Sequence, residues 1–267
     1  MRTFSGLLIT ALGLLLGGCA TTHTAPAPEQ KQALAVSGKL RVGIFSTNPL
    51  YAGRDAATGE FKGVAIDLGR ELARRIGVPF ELVSYPSIAA IIDNAETGQW
   101  DAAFLTINAA RTKVMDFSAP YAEVEVGYLV PGNSAITSMS NIDKTGIRIA
   151  VAQKGGPDVR LSASLRQAAL IRVPSLVNAL ELVKSGQAHA MAANKTYLYS
   201  VLEQVPGGRI LEGRISAEYI GIAVPKGRGF GASYVRRFVE DAKLEGLVLQ
   251  AIENAGLHGV VVAPPAP

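Results

Sequence analysis

Arg111 lies in the stretch TINAARTKVMDFSAPY, Thr106 to Tyr121, just beyond an apolar run that reads as a buried strand. A guanidinium at such a strand end is a planar fork of donors, able to grip a carboxylate through two parallel hydrogen bonds. The competing use is a salt bridge to a neighbour such as Asp116. Thr106 ends the same strand, and Asn194 ends an equivalent one 88 residues later, so the two are expected to face each other across a cleft. A hydroxyl and a carboxamide there can hydrogen-bond a polar ligand, or each can cap the turn that follows it.

Other chemistries find little support. His23, His189 and His258 are scattered without metal-ligand spacing. The glycine-rich run Lys226 to Gly231 lacks the GxGxxG pattern and the following acid of a dinucleotide site. No G-x-S-x-G or nucleophile–base pattern is present. The formal charge of +4 falls to +3 without Arg2, and no basic run interleaved with aromatics points to nucleic acid.

The elements that must position Arg111 and Asn194 follow from an internal repeat at the 88-residue offset. Pro86-Ser87 recurs as Pro174-Ser175, Gly98-Gln99 as Gly186-Gln187, and Ala102 falls on Ala190. Each serine can cap a helix and each glycine can end it. Ile88, Ile91, Ile92 and Ala95 in one copy, and Leu176, Ala179, Leu180 and Val183 in the other, follow the stripe of an amphipathic helix.

The first copy reads as strand Arg41 to Phe45, helix Val64 to Ile76, strand Phe80 to Tyr85, the capped helix, and strand Asp101 to Leu105. The second reads as strand Ile147 to Ala152, a helix near Asp158 to Ala168, strand Leu170 to Val173, the capped helix, and strand His189 to Ala193. Such alternation predicts an α/β protein of two lobes, each a mostly parallel sheet flanked by helices. Ligands then bind beyond the carboxyl ends of the strands. Val124 to Val130 leads to the second lobe, Tyr219 to Val224 leads back, and a helix Tyr234 to Asn254 completes the first. Two crossing strands make a hinge around which lobes can close.

The expected boundaries are lobe 1 over residues 38–126 plus 220–258 and lobe 2 over 127–219, with a disordered tail over 259–267. Residues 1–18 read as a signal peptide: Arg2 precedes an apolar run, Leu7 to Leu16, too short to span a bilayer. Leu16-Gly17-Gly18-Cys19 resembles the lipobox of bacterial lipoproteins, in which cleavage leaves a lipid on the cysteine, here Cys19. Residues 19–37, with Pro26 and Pro28, then form a flexible tether. That places the protein in the periplasm, lipid-anchored to a bacterial membrane.

With the repeat in view, Thr106 to Tyr121 resembles the first-lobe block of the family 3 periplasmic solute-binding proteins, the polar amino-acid receptors of ABC transporters. Thr106, Arg111, Asp116-Phe117-Ser118 and Pro120-Tyr121 carry the match. Gly63 to Ile76, with Asp67, resembles the signature helix, and the similarity runs from about Lys39 to Leu257. The resemblance implies the two-lobed periplasmic-binding-protein fold and a monomer without cofactor that hands a solute to an inner-membrane ABC permease. It implies that Arg111 binds a ligand carboxylate, assisted by Thr106, with Tyr51 near the aromatic that lies against the ligand side chain. Two other functions on such a fold are a cyclohexadienyl-dehydratase-like enzyme, for which Lys195 and His189 would have to serve, and a non-transporting sensor.

Three departures from the family pattern touch the expected site. Asn194 stands where an aspartate usually pairs with the α-ammonium of an amino acid. Gly156 stands where a threonine often begins the second-lobe helix, and Phe104 replaces a small residue beside the ligand. Losing one partner of a desolvated charge pair costs about 2–5 kcal/mol. The expectation is therefore a carboxylate or similar anion without a conventional α-ammonium, unless another acid takes over. Asp158, Glu123 and Glu218 are the candidates, with Asp158 nearest in sequence to the second-lobe cleft loop.

Overall fold

The chain crosses twice between two halves of one continuous sheet, and the site lies where it crosses. The computed structural model describes residues 25–45, 48, 50–54 and 58–266. Lobe 1 begins with α1 (Pro28–Leu34), β1 (Leu40–Phe45), a short ribbon of β2 (Gly53–Arg54) and β3 (Phe61–Lys62), and α2 (Val64–Ile76). It continues with β4 (Phe80–Tyr85), α3 (Ile88–Asp93), β5 (Ala102–Thr106) and β6 (Met115–Phe117). β7 (Ala122–Val130) carries the chain into lobe 2, built of β8 (Arg148–Ala152), α4 (Gly156–Ser164), β9 (Ala169–Val173), α5 (Leu176–Lys184), β10 (Ala190–Asn194), α6 (Lys195–Val201) and β11 (Arg209–Ile210). β12 (Ser216–Pro225) returns to lobe 1, which closes with α7 (Gly229–Leu244), α8 (Leu247–Asn254) and β13 (Val260–Val262).

The strand order is β4-β1-β5-β12-β7-β10-β8-β9. Within each lobe the inner strands are parallel, β1 with β4 and β5, and β8 with β9 and β10. The two crossing strands, β7 and β12, run antiparallel to each other and to the strands they join. Parallel strands need a covering on both faces. α2 supplies part of it by burying Val64, Ala65, Leu68, Leu72 and Ile76, one apolar stripe at helical spacing.

The 88-residue repeat is present element for element. Ser87 Oγ accepts from the Ala90 N–H at 3.1 Å at the start of α3, and Ser175 Oγ accepts from the Asn178 N–H at 3.2 Å at the start of α5. β5 ends at Thr106 and β10 at Asn194, the same offset apart. Shared caps and shared stripes therefore place the two strand ends in equivalent positions.

Four expected boundaries are corrected. The tether does not extend to residue 37, because α1 forms with Pro28 in its first turn and packs Leu34, fully buried, against α7. Gly231 permits that approach, since a Cβ there would come within 3.1 Å of the Leu34 side chain. The last helix is not continuous: Gly246 adopts φ 76°, a left-handed conformation that ends α7 and starts α8. The tail is not wholly irregular either. Val260 to Val262, three β-branched residues, pair antiparallel with β7. The helix expected near Asp158 begins two residues earlier, at Gly156, with Pro157 in its first turn, where the missing N–H is harmless.

The expected signal peptide (residues 1–18) and the expected lipidation site Cys19 lie outside the described residues. Among the described residues, no helix is long and apolar enough to cross a membrane.

Candidate functional site

Five of the residues that approach the crossing point come from separate segments. Tyr51 lies in the loop after β1, Thr106 ends β5, Gly156 starts α4, Asn194 ends β10, and Glu218 is in the first half of β12. Together with Asn48 and the apolar walls Ile88, Ala192 and Leu176, they line a cavity of about 20 Å³ between the lobes. That is room for about one water. The lobes are closed upon each other, and a larger guest can enter only when they part.

Thr106 is the centre of the polar cluster. Its hydroxyl lies 3.3 Å from the Tyr51 hydroxyl and donates to Glu218 Oε2 at 3.3 Å. Burial pushes the Tyr51 phenol up to about 12, so it stays a neutral donor or acceptor. Asn194 is the N-cap of α6, its Oδ1 accepting from the Tyr197 N–H at 2.9 Å. With that oxygen committed to the helix, the group it offers to the cavity is the amide N–H, a donor.

Glu218 is the one acid in the cavity lining. The residue is 8% exposed, and burial raises its pKa to about 7 despite the opposing pull of Arg111 and Thr106. The carboxyl presses directly on the backbone of Gly156, where any Cβ would collide with Oε1. The space left by the missing side chain at 156 is filled by Glu218.

The other two candidate acids have partners elsewhere. Asp158 pairs with Arg172 at 2.8 Å, accepts from the Lys154 N–H at 2.9 Å and lies 3.3 Å from Ser162 Oγ. It holds the first turn of α4 and does not line the cavity. Glu123 sits within 3.8 Å of Arg214 and is likewise absent from the lining.

Arg111 stands beside this cavity, and does not face Asn194 across it. The residue is 2% exposed. Nη1 donates to the Thr106 carbonyl at 2.7 Å and Nη2 to the Lys154 carbonyl at 2.8 Å, so one side chain ties lobe 1 to lobe 2. Nε is buried without an acceptor, and burial lowers the arginine's pKa. Arg111 and Asp158 together line a neighbouring groove of about 480 Å³ with Asn108 and Arg172. Asp116, the alternative partner for Arg111, pairs with Lys226 at 2.6 Å.

Phe104 is placed in the core and not in the cavity wall. It meets Tyr121 edge to face at 5.7 Å. Of the expected residues, then, Thr106, Asn194, Tyr51 and Gly156 converge, Arg111 and Asp158 are neighbours of that group, and Phe104 is apart. The residue underweighted in the sequence is Glu218. Its signal was a lone acid next to the apolar run Tyr219 to Val224, on a strand expected to cross the hinge.

This geometry, two lobes on crossing strands with convergent polar groups between them, has a counterpart in known families. Residues 40–253 match the model of the bacterial extracellular solute-binding proteins, family 3. The chain belongs to that family. It is 24% identical over 256 residues to the ABC transporter glutamine-binding protein GlnH of Bacillus subtilis (strain 168), covering 92% of this chain and 93% of the relative. Among solved structures, a mutant of ArgBP from T. maritima superposes with a TM-score of 0.75 at 24% identity, covering 85% of this chain and 99% of the other. The ancestral amino acid-binding protein AncCDT-1, described as a precursor of cyclohexadienyl dehydratase, superposes at 0.73 with 25% identity, covering 84% and 98%. The named relatives are binding proteins.

Proposed function

We propose that this family 3 protein is the receptor of an ABC importer, closing its lobes around a small polar, carboxylate-bearing solute and presenting the closed form to an inner-membrane permease. The observation that carries the reading is the convergence of Tyr51, Thr106, Asn194 and Glu218 on a cavity at the crossing of β7 and β12. Polar side chains from both lobes meet only when those lobes close, so a solute touching them stabilises the closed form by mass action. The B. subtilis relative is named for glutamine and an ABC transporter, which agrees with a small zwitterionic solute and with transport.

Arg111 supplies the carboxylate grip in this reading. Parting the lobes separates Nη2 from the Lys154 carbonyl and frees that donor, and a solute carboxylate takes the carbonyl's place. Export through residues 1–18 and lipidation at Cys19 would hold the receptor, as a monomer, at the periplasmic surface of a membrane.

A thermal-shift panel of amino acids, dicarboxylates, aromatic acids and amines tests the proposal. A true solute at one hundred times its dissociation constant adds about 2.7 kcal/mol. The expected result is stabilisation by at least one carboxylate, lost in Arg111→Met. Stabilisation by every hit persisting in the variant removes Arg111 from the site, and the absence of any hit overturns the receptor reading. Co-purification with a permease separates transport from sensing.

A further inference from the structure

The family's usual acid for an amino-acid ammonium is missing at position 194, yet the cavity is not without a carboxylate. Glu218 enters it from the hinge strand, touching lobe 1 through the Thr106 hydroxyl and lobe 2 through the Gly156 backbone. It has no ion pair within 4 Å among the described residues, and its hydrogen bond to Thr106 is long, 3.3 Å. The nearest cation, Arg111, gives its two Nη groups to backbone carbonyls.

A buried, ionised carboxylate with one weak partner is unstable unless a cation or a proton neutralises it. The group across the cavity cannot help, because Asn194 offers an N–H donor and its oxygen caps α6. Asp158 and Glu123 are already paired with arginines. In the closed form without a guest a proton neutralises Glu218, and a positive group brought by the guest can take that proton's place.

We propose that Glu218 is the specificity-determining acid of the cleft, holding a primary ammonium on the solute, so that the solute class is an amino acid despite Asn194. The assignment rests on the receptor reading and deepens it. Three features then act together. Gly156 has no side chain and leaves room for the carboxyl, Thr106 orients it, and the hinge strand carries it into the closing gap. A free carboxyl with a pKa near 7 in the closed form also means that closure without such a guest takes up a proton, whereas closure on an ammonium need not.

Calorimetric titration decides the matter. The probes are the common L-amino acids, each paired with the same molecule lacking its α-amino group, such as L-glutamate with glutarate. The proteins are the wild type, Glu218→Gln, and Glu218→Gln combined with Asn194→Asp, with circular dichroism confirming that each is folded. The wild type is expected to prefer the ammonium-bearing member of a pair about thirtyfold or more. Glu218→Gln should abolish that preference by weakening the ammonium-bearing member about thirtyfold or more. Asn194→Asp should restore part of it, by moving the acid to the other wall. Tight binding of deaminated probes by the wild type with no preference for the amine overturns the assignment and spares the receptor reading. A preference unchanged in Glu218→Gln also overturns it. No binding of any probe by the wild type overturns both.

Discussion

The Glu218 carboxyl rests on the backbone of Gly156, one residue on the hinge strand and the other at the first turn of a lobe 2 helix. This contact joins the hinge strand β12 to lobe 2. Because no side chain fits between the two, residue 156 controls whether the acid can enter the cleft.

The pH dependence of stability follows from the same contact. Burial holds the Glu218 pKa at about 7, above its ordinary 4.5. Between those values the folded protein keeps a proton that the unfolded chain has released. Stability contributed by this group is therefore full below about 4.5, falls as pH rises, and is gone above about 7. Glu218→Gln removes the titration. Melting curves at pH 4.5, 6 and 8 should show the variant's advantage growing with pH, to at most about 3 kcal/mol. A difference independent of pH would mean that the carboxyl does not change its charge in the fold.

Asp101 anchors lobe 1 at the start of β5. It is fully buried, takes a two-pronged grip from Arg41 at 2.8 Å on both prongs, and receives Arg228 from the start of α7 at 2.6 Å. Removing one member of such a cluster leaves uncompensated buried charge. Asp101→Ala should lower the unfolding free energy in urea by about 3–5 kcal/mol. A loss under about 1 kcal/mol would place these arginines among ordinary surface pairs.

Asn194 has a structural duty that is separable from any role toward a solute. As the cap of α6, its replacement by alanine should cost about 1 kcal/mol, as should Ser175→Ala at α5. Asn194→Asp retains a capping oxygen and should leave stability within about 0.5 kcal/mol of the wild type. Urea midpoints of the three variants check this ordering, and equal losses for Ala and Asp at 194 would refute the cap.

The repeat was legible because it is written twice in local signals: a serine cap, an apolar stripe and a glycine stop, at one fixed offset. Those signals placed Thr106 and Asn194 at matching strand ends without any knowledge of packing. Arg111 was harder. Its Nη2 partner is the Lys154 carbonyl of the other lobe, a backbone group that no side-chain pattern announces. Asp158 looked free in sequence because Arg172, which claims it, lies on the next strand, β9. Phe104 was expected beside the ligand only because it stands where the family has a small residue, and it packs instead edge to face against Tyr121. Glu218 could be named only as one acid of three, since the collision that singles it out involves a glycine's missing Cβ.

The claim that the cavity between Thr106 and Asn194 is the solute site is tested most directly by blocking it. Gly156→Leu puts a side chain into the space now held by the Glu218 carboxyl and the cavity, so that the carboxyl must be displaced. Isothermal titration of the best solute from the thermal panel into this variant should show affinity reduced about a hundredfold or more, with the fold intact by circular dichroism. Binding at wild-type affinity would contradict the account and move the solute to another surface.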